Sequence, residues 1–505
     1  MLNWLTGTKG EHPLADDKAA KEAIKDLPQA DPFKTLEELT YWLESLKDAT
    51  GLKVTRIFEL AELIDLSAKV HHRKLAQQYV SAGPRLPRFQ ENRLFTTLVN
   101  FWHALAVAYE VYVRKASGSG WGTNRATLAV ACARLVRART VLIKWQLMRY
   151  GPLERENWES MSSVFILAEE KDFAEESIIV YPGVQSSVQR ELTQALMLCI
   201  SSTYSLLPNE LEVAERIIAQ YAQFFAIKNA PGNGLPYMVD LASGSPPARV
   251  IARGSATATT RFFGPGEAVP QLKKLILSLE KDGALPAGIN LGADFDGSLL
   301  LTVLEHLCRY WAPELPARVD KRRDVVSRIN VVHGFDDILV AIAAGEERVA
   351  DLDYKIETWV VENESGGGYG AIIPLVNDWL TVGTLLGIRR DNSAAWGVGV
   401  VRRVNNDNKL TRHVGIQMLS RGGSVVNINP VGKPRGGESV VLLPSNADDS
   451  IGRAEMNFLM PFGSFSPSTS YEMEAYERKY LLVPRGLIES GDDFEMAKFR
   501  LLQNS

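Results

Sequence analysis

Trp359-Val-Val-Glu-Asn363-Glu-Ser365-Gly366-Gly367-Gly368-Tyr369-Gly370 is the stretch on which the reading of this chain turns. It runs from a strand-like segment into a glycine-dense turn, in the register Asn-x-Ser-x-x-Gly. Glycines admit positive φ angles and let a ligand approach the backbone closely. Asn363 and Ser365 add short polar groups, and successive turn N–H groups can form an anion nest. About 30 residues upstream lies the densest arginine cluster of the chain, Arg318-Val-Asp-Lys-Arg322-Arg323-Asp-Val-Val-Ser-Arg328. Guanidinium groups grip phosphate bidentately, stack on purines and donate to the O6/N7 edge of guanine. Each piece alone has a plainer meaning, a hairpin turn and a solvated charged face. Their succession on either side of a strand is the informative feature.

The rest of the composition frames this pair. At 505 residues the chain is long enough for three or four domains. It is 46% hydrophobic and 23% charged, as expected for globular domains with sizeable cores. A net charge of −4 excludes a protein built to coat nucleic acid, so any anion site must be a local patch. Cys132, Cys199 and Cys308 are odd in number, far apart and without metal-ligand spacing. They read as free thiols in a reducing compartment. The first residues lack the apolar core of a signal peptide, and no window has the roughly 18 uninterrupted apolar residues of a membrane span. A cytoplasmic location is expected.

Taken in order, residues 1–30 are polar and read as a flexible N-terminus. An all-α helical domain is expected over 31–229, with Asp31-Pro32 as a helix start. Further helices are read at Val54 to Val80, Glu91 to Lys115, Asn124 to Arg149, Gln185 to Leu206 and Glu210 to Lys228. One short strand-like run, Ser177 to Tyr181, interrupts them. Glycine and proline become frequent near Asn229, and 230–317 reads as a small α/β module, with helices at Val269 to Leu279 and Leu299 to Trp311. From 318 to 440 short strands and tight polar turns predict an antiparallel β-barrel. Residues 441–505 carry further strand-like runs, as a C-terminal β extension or a second β unit. The fold class is thus multidomain α+β.

The arginine run, the Asn363-x-Ser365-x-x-Gly368 turn, Val382-Gly383, Gly397-Val-Gly-Val-Val-Arg402-Arg403-Val404 and Val414-Gly-Ile-Gln-Met-Leu419 together resemble a PilZ domain. The resemblance covers about 120 residues. It implies a small β-barrel that binds cyclic di-GMP through an Arg-x-x-x-Arg run and a [Asp/Asn]-x-Ser-x-x-Gly turn. Asn363, Ser365 and Gly368 match the turn, and Gly366 and Gly367 lie within it. Arg318 and Arg322 have the family's spacing; Arg323 and Arg328 stand closer to the strands but one residue too far apart. The interval from Phe335 to Asp353 departs from the pattern in looking partly helical.

The function this implies is a non-enzymatic second-messenger receptor for signal transduction, with cyclic di-GMP as ligand and no cofactor, metal or catalytic residue. Its helical half would meet a protein partner or a second copy of itself. The alternative is a ligand-independent adaptor or self-assembling scaffold with a degenerate barrel. Other features read blandly. His71-His72 is an ordinary helical pair, and Ala293-Asp294-Phe-Asp296-Gly297 is a turn. Arg134, Arg137, Arg139, Lys144 and Arg149 are expected to line one helix side, solvated or docking acidic groups.

Overall fold

The chain divides into two compact units, Met1–Pro316 and Ala317–Ser505. The computed structural model describes residues 12, 14–47, 49, 51–82, 86–118, 124–250, 256–286, 288–314, 321–345, 352, 355–375, 379–391, 393–407, 409–432, 437–444, 455–475 and 478–503.

The first unit begins with helices α1 (Asp17–Lys25), α2 (Pro32–Lys47), α3 (Val54–Ala82), α4 (Arg88–Gly118), α5 (Arg125–Met148) and α6 (Arg155–Glu170). A hairpin of β1 (Ile178–Tyr181) and β2 (Val184–Ser186) precedes α7 (Val188–Ile200) and α8 (Pro208–Tyr221). Helix starts follow local chemistry. The Asn124 side chain accepts from the Ala126 N–H at 2.9 Å, and Ser187 accepts from the Arg190 N–H at 3.1 Å. The expectation of a flexible stretch over 1–30 does not hold for its second half. Asp16 caps α1, and Leu14, Ala20 and Leu27 are buried in the main helical core. Three apolar anchors suffice to dock a helix whose charged majority hides it in the sequence.

Helix α5 is the axis of this unit, with 17 of its 24 residues buried. A helix covered nearly all round must also bury its cations, and this overturns the expected solvated face. Arg134 and Arg139 are 3% and 1% exposed and Lys144 is 7% exposed. Each is matched. Arg134 donates to the Val180 carbonyl at 2.8 Å, the Tyr109 hydroxyl at 3.1 Å and Glu62 at 2.8 Å. Arg139 pairs with Glu110 at 2.6 Å and Glu156 at 3.0 Å, and Lys144 with Glu215 at 2.7 Å and Glu212 at 3.0 Å. Arg137 grips Glu191 with two bonds of 2.7 and 2.8 Å. Arg149 does the same to Glu91. Carboxylates from α3, α4, α6, α7 and α8 converge on one helix.

Next come β3 (Ala226–Lys228), β4 (Tyr237–Asp240), β5 (Ala248–Arg249) and β6 (Thr260–Gly264), in the antiparallel order β3-β6-β4-β5. Helices α9 (Ala268–Asp282) and α10 (Gly297–Tyr310) follow, and Asp296 in the expected turn caps α10. Strands of two to five residues cannot enclose a core of their own. Tyr237, Val239, Phe263, Leu272 and Leu304 accordingly join the same core as α1–α8. The Trp311 indole N–H donates to Ser201 Oγ at 2.9 Å from the end of α10.

The second unit holds two closed six-stranded antiparallel barrels. The first comprises β7 (Arg323–His333), β8 (Glu357–Ser365), β9 (Gly368–Pro374), β10 (Leu385–Arg390), β11 (Gly397–Asn406) and β12 (Thr411–Ser420), with α11 (Phe335–Ala344) inserted after β7. The second comprises β13 (Ser424–Pro430), β14 (Glu438–Leu443), β15 (Glu455–Pro461), β16 (Tyr471–Ala475), β17 (Arg478–Ser490) and β18 (Phe494–Gln503). The division expected at 440 therefore falls inside β14. Counted from its own first strand, each barrel pairs 1-2, 2-3, 3-6, 6-5, 5-4 and 4-1. The tail is thus a second copy of one topology. Helix α11 wedges between the two: Phe335, Ile338 and Ala341 share one core with Val398 and Val400 of the first barrel and Val441, Leu459 and Phe494 of the second. The Phe335 N–H donates to Asp493 at 2.8 Å, and Arg402 on β11 holds Glu489 on β17 with bonds of 2.5 and 2.7 Å.

Candidate functional site: the β8–β9 hairpin and the barrel mouth

Strands β8 and β9 close on each other at the Ser365↔Gly368 pair, leaving Gly366 and Gly367 as the turn. The glycines have steric reasons to be there. An added Cβ on Gly368 would lie 1.9 Å from the Ile416 carbonyl oxygen on β12, and one on Gly370 would lie 2.6 Å from Asn363 Oδ1. Neither has a left-handed φ, so close approach rather than backbone freedom explains both positions.

Strand β7 runs antiparallel to β8, and its register decides which arginines reach the turn. Arg323 pairs with Glu364 and Asp324 with Asn363, so the start of β7 lies beside the Asn-x-Ser segment. Arg322 stands one residue before it, and both arginines are exposed. Arg328 pairs with Val360, five residues back from Ser365. At about 3.4 Å per residue that is roughly 17 Å along the strand, beyond the reach of an arginine side chain. The structure therefore does not bring Arg328 to the turn. Arg318 lies outside the described residues. The ladder shifts register between Asp324 and Ser327, where Val326 is 95% exposed, and β8 shifts against β9 between Val361 and Asn363. Such bulges re-aim side chains, and both flank Asn363.

Asn363 Oδ1 is buried and meets no donor among the described residues. An unpaired buried amide oxygen costs about 1–3 kcal/mol. Only an N–H or O–H donor could satisfy it.

Three residues not anticipated from the sequence complete the setting. At the end of β10, Arg390 donates to the Tyr369 hydroxyl at 2.9 Å and pairs with Glu364 at 2.6 Å. The Tyr369 hydroxyl holds the Arg390 guanidinium still more firmly in its charged form. Arg421, just after β12, donates to the carbonyls of Gly366 at 2.9 Å and Ser365 at 3.3 Å, and to Tyr369 at 3.4 Å. Together with Met418 and Ile388 these groups line a hollow of about 160 Å³. An arginine at a strand end is a weak sequence signal, and only barrel closure brings residues 369, 390 and 421 together.

Among the described residues no group of three or more His, Cys, Asp or Glu side chains could hold a metal ion, and no helix is long and apolar enough to cross a membrane. The three cysteines are free.

Residues 18–231, most of the helical unit, match the family described as "Cyclic-di-GMP receptor FimW, N-terminal domain". The match ends before the barrels and covers less than half of the chain. No curated protein matches the chain.

Proposed function

We propose that this protein is a non-enzymatic receptor for cyclic di-GMP, with its ligand site on a PilZ-type barrel at the β8–β9 hairpin. The observation that carries the reading is the β7–β8 register, which sets Arg323 opposite Glu364 between Asn363 and Ser365. Two segments separated in sequence by α11 become hydrogen-bonded neighbours. The helical half supports the same ligand independently, because it is similar to the N-terminal domain of a cyclic di-GMP receptor.

The chemistry is one of recognition. The ligand offers two phosphate anions and two guanine faces. Exposed Arg322 and Arg323 supply planar, bidentate donors to either. Asn363 supplies the acceptor for a guanine N–H, and the Gly366–Gly367 turn admits close backbone approach. None of this needs a nucleophile, a general base or a metal. Arg322 and Arg323 stand six and seven residues after Pro316, where the first compact unit ends. Ordering them around a dinucleotide would change how the helical unit is presented to a protein partner.

Isothermal titration of the full chain with cyclic di-GMP tests the proposal. Saturable binding is expected at micromolar ligand. Replacing Arg322 and Arg323 together by alanine should weaken it roughly tenfold or more, the value of one charge-assisted hydrogen bond. Arg328→Ala should change it by less than about twofold. No saturable heat with the wild-type chain, or undiminished affinity in the double variant, would refute the assignment. A dinucleotide-independent assembly state in light scattering would favour a scaffold.

A further inference from the structure

We infer that the hollow at the mouth of the first barrel, between Arg390, Tyr369 and Arg421, is a guanine subsite, with Arg421 as its specificity-determining residue. The inference rests on the reading of the β8–β9 hairpin as a cyclic di-GMP site, and it adds where one base goes. Arg421 touches the hairpin itself, through the Ser365 and Gly366 carbonyls, so the hollow is contiguous with the Asn363-x-Ser365 turn.

Size is the first argument. At about 160 Å³ the hollow is smaller than the roughly 300–1,000 Å³ of pockets that enclose whole ligands. It accommodates part of a dinucleotide, leaving the rest to the hairpin and to Arg322 and Arg323. Its lining is the second. Met418, Ile388, Ala395 and the Tyr369 ring present apolar surface to a flat base beside the polar Ser393, Arg390 and Arg421, with the Arg390 guanidinium 5.4 Å from the centre of that ring. A bare phosphate has no use for such walls.

Charge is the third argument. Glu364 neutralises Arg390, whereas among the described residues Arg421 bonds only neutral oxygens, two carbonyls and one hydroxyl. Arg421 thus pairs with no carboxylate among the described residues and has N–H donors left over for an incoming acceptor edge. Guanine presents two acceptors, O6 and N7, on one edge. Adenine replaces O6 by an N6 donor that would face the guanidinium donor to donor. The subsite therefore selects guanine.

There is also a consequence for the second barrel. Arg421 lies on the connector Arg421–Gly423 that leads into β13, and a Cβ on Gly423 would press on Val441 and Ile342. A base bound at Arg421 thus touches the segment that joins the two barrels.

The test measures binding of cyclic di-GMP and, by competition, of cyclic di-AMP to the full-length wild type, Arg421→Ala, Arg421→Lys and Arg390→Ala, with folding checked by circular dichroism. Arg421→Ala is expected to lose about tenfold in affinity for cyclic di-GMP and to narrow the preference over cyclic di-AMP by a similar factor. Arg421→Lys keeps the charge but not the fork and should retain only part of that preference. Equal weakening of both ligands would mean that Arg421 merely braces the hairpin, and would overturn the subsite while leaving the receptor assignment intact. If Arg421→Ala fails to fold, Arg421→Lys carries the same comparison. A wild type that binds no cyclic di-GMP would overturn both proposals.

Discussion

Replacing Gly370 by alanine would place a methyl group 2.6 Å from Asn363 Oδ1 and 2.7 Å from its Nδ2. Comfortable contact requires about 3.5 Å, so the amide must move by roughly 1 Å. That is enough to break a hydrogen bond to a ligand held in fixed geometry. The lost bond and the stranded ligand donor together cost about 1.5–2 kcal/mol, or roughly ten- to thirtyfold in cyclic di-GMP affinity. The barrel should survive, because a side chain rather than the backbone gives way.

Gly368→Ala is the contrasting case. Its methyl meets the Ile416 carbonyl oxygen at 1.9 Å, and relief requires β9 to part from β12 around the Gly368↔Gln417 pair. Overpacking of this kind costs about 3 kcal/mol. For a unit of this size that lowers the melting temperature by roughly 6–12 °C. Calorimetric titration and thermal melts of both variants read the two effects separately. Binding by Gly370→Ala within about twofold of wild type, or a melting temperature of Gly368→Ala within about 2 °C of wild type, would refute the steric reasoning.

In the helical unit, Arg134→Ala removes a buried cation that bonds the Val180 carbonyl, the Tyr109 hydroxyl and partly exposed Glu62 and stands 4.0 Å from buried Asp65. Urea denaturation should show a loss of about 3–5 kcal/mol; a loss under about 1 kcal/mol would mean that the network is dispensable. A further prediction concerns acid stability. His72 packs its ring on Trp102 and Phe101, and burial pushes its pKa down to about 3. Below its ordinary value the unfolded chain binds a proton that the folded chain refuses. Stability should therefore fall as pH drops from about 6.5 toward 3, by up to about 1.4 kcal/mol per pH unit. The slope should flatten in His72→Phe, as equilibrium denaturation at several pH values will report.

Much of the architecture is legible along the chain, and the exceptions have physical causes. Helices α2–α5, α7 and α8 announce themselves because caps and apolar periodicity are local properties, as at Asn124 before α5. Helix α1 is hidden because Leu14, Ala20 and Leu27 matter only once a core exists to receive them. The cations of α5 look like a solvated face until Glu62, Glu191 and Glu212 arrive from other helices. Strand β9 is masked by the glycines that open it.

The sequence by itself determined the hairpin and its arginine neighbourhood: Asn363, Ser365 and the glycines stand in a spacing that local turn chemistry reads directly. Tertiary structure decided which arginines lie beside that turn. The register of β7 brings Arg323 to Glu364 and leaves Arg328 at Val360, and a register is a property of two paired strands. Barrel closure likewise carried Arg390 and Arg421 to Tyr369, and folded the tail into a second barrel of the same topology. Residues that meet only across a closed sheet leave no pattern along the chain, because no fixed spacing relates them before the strands pair.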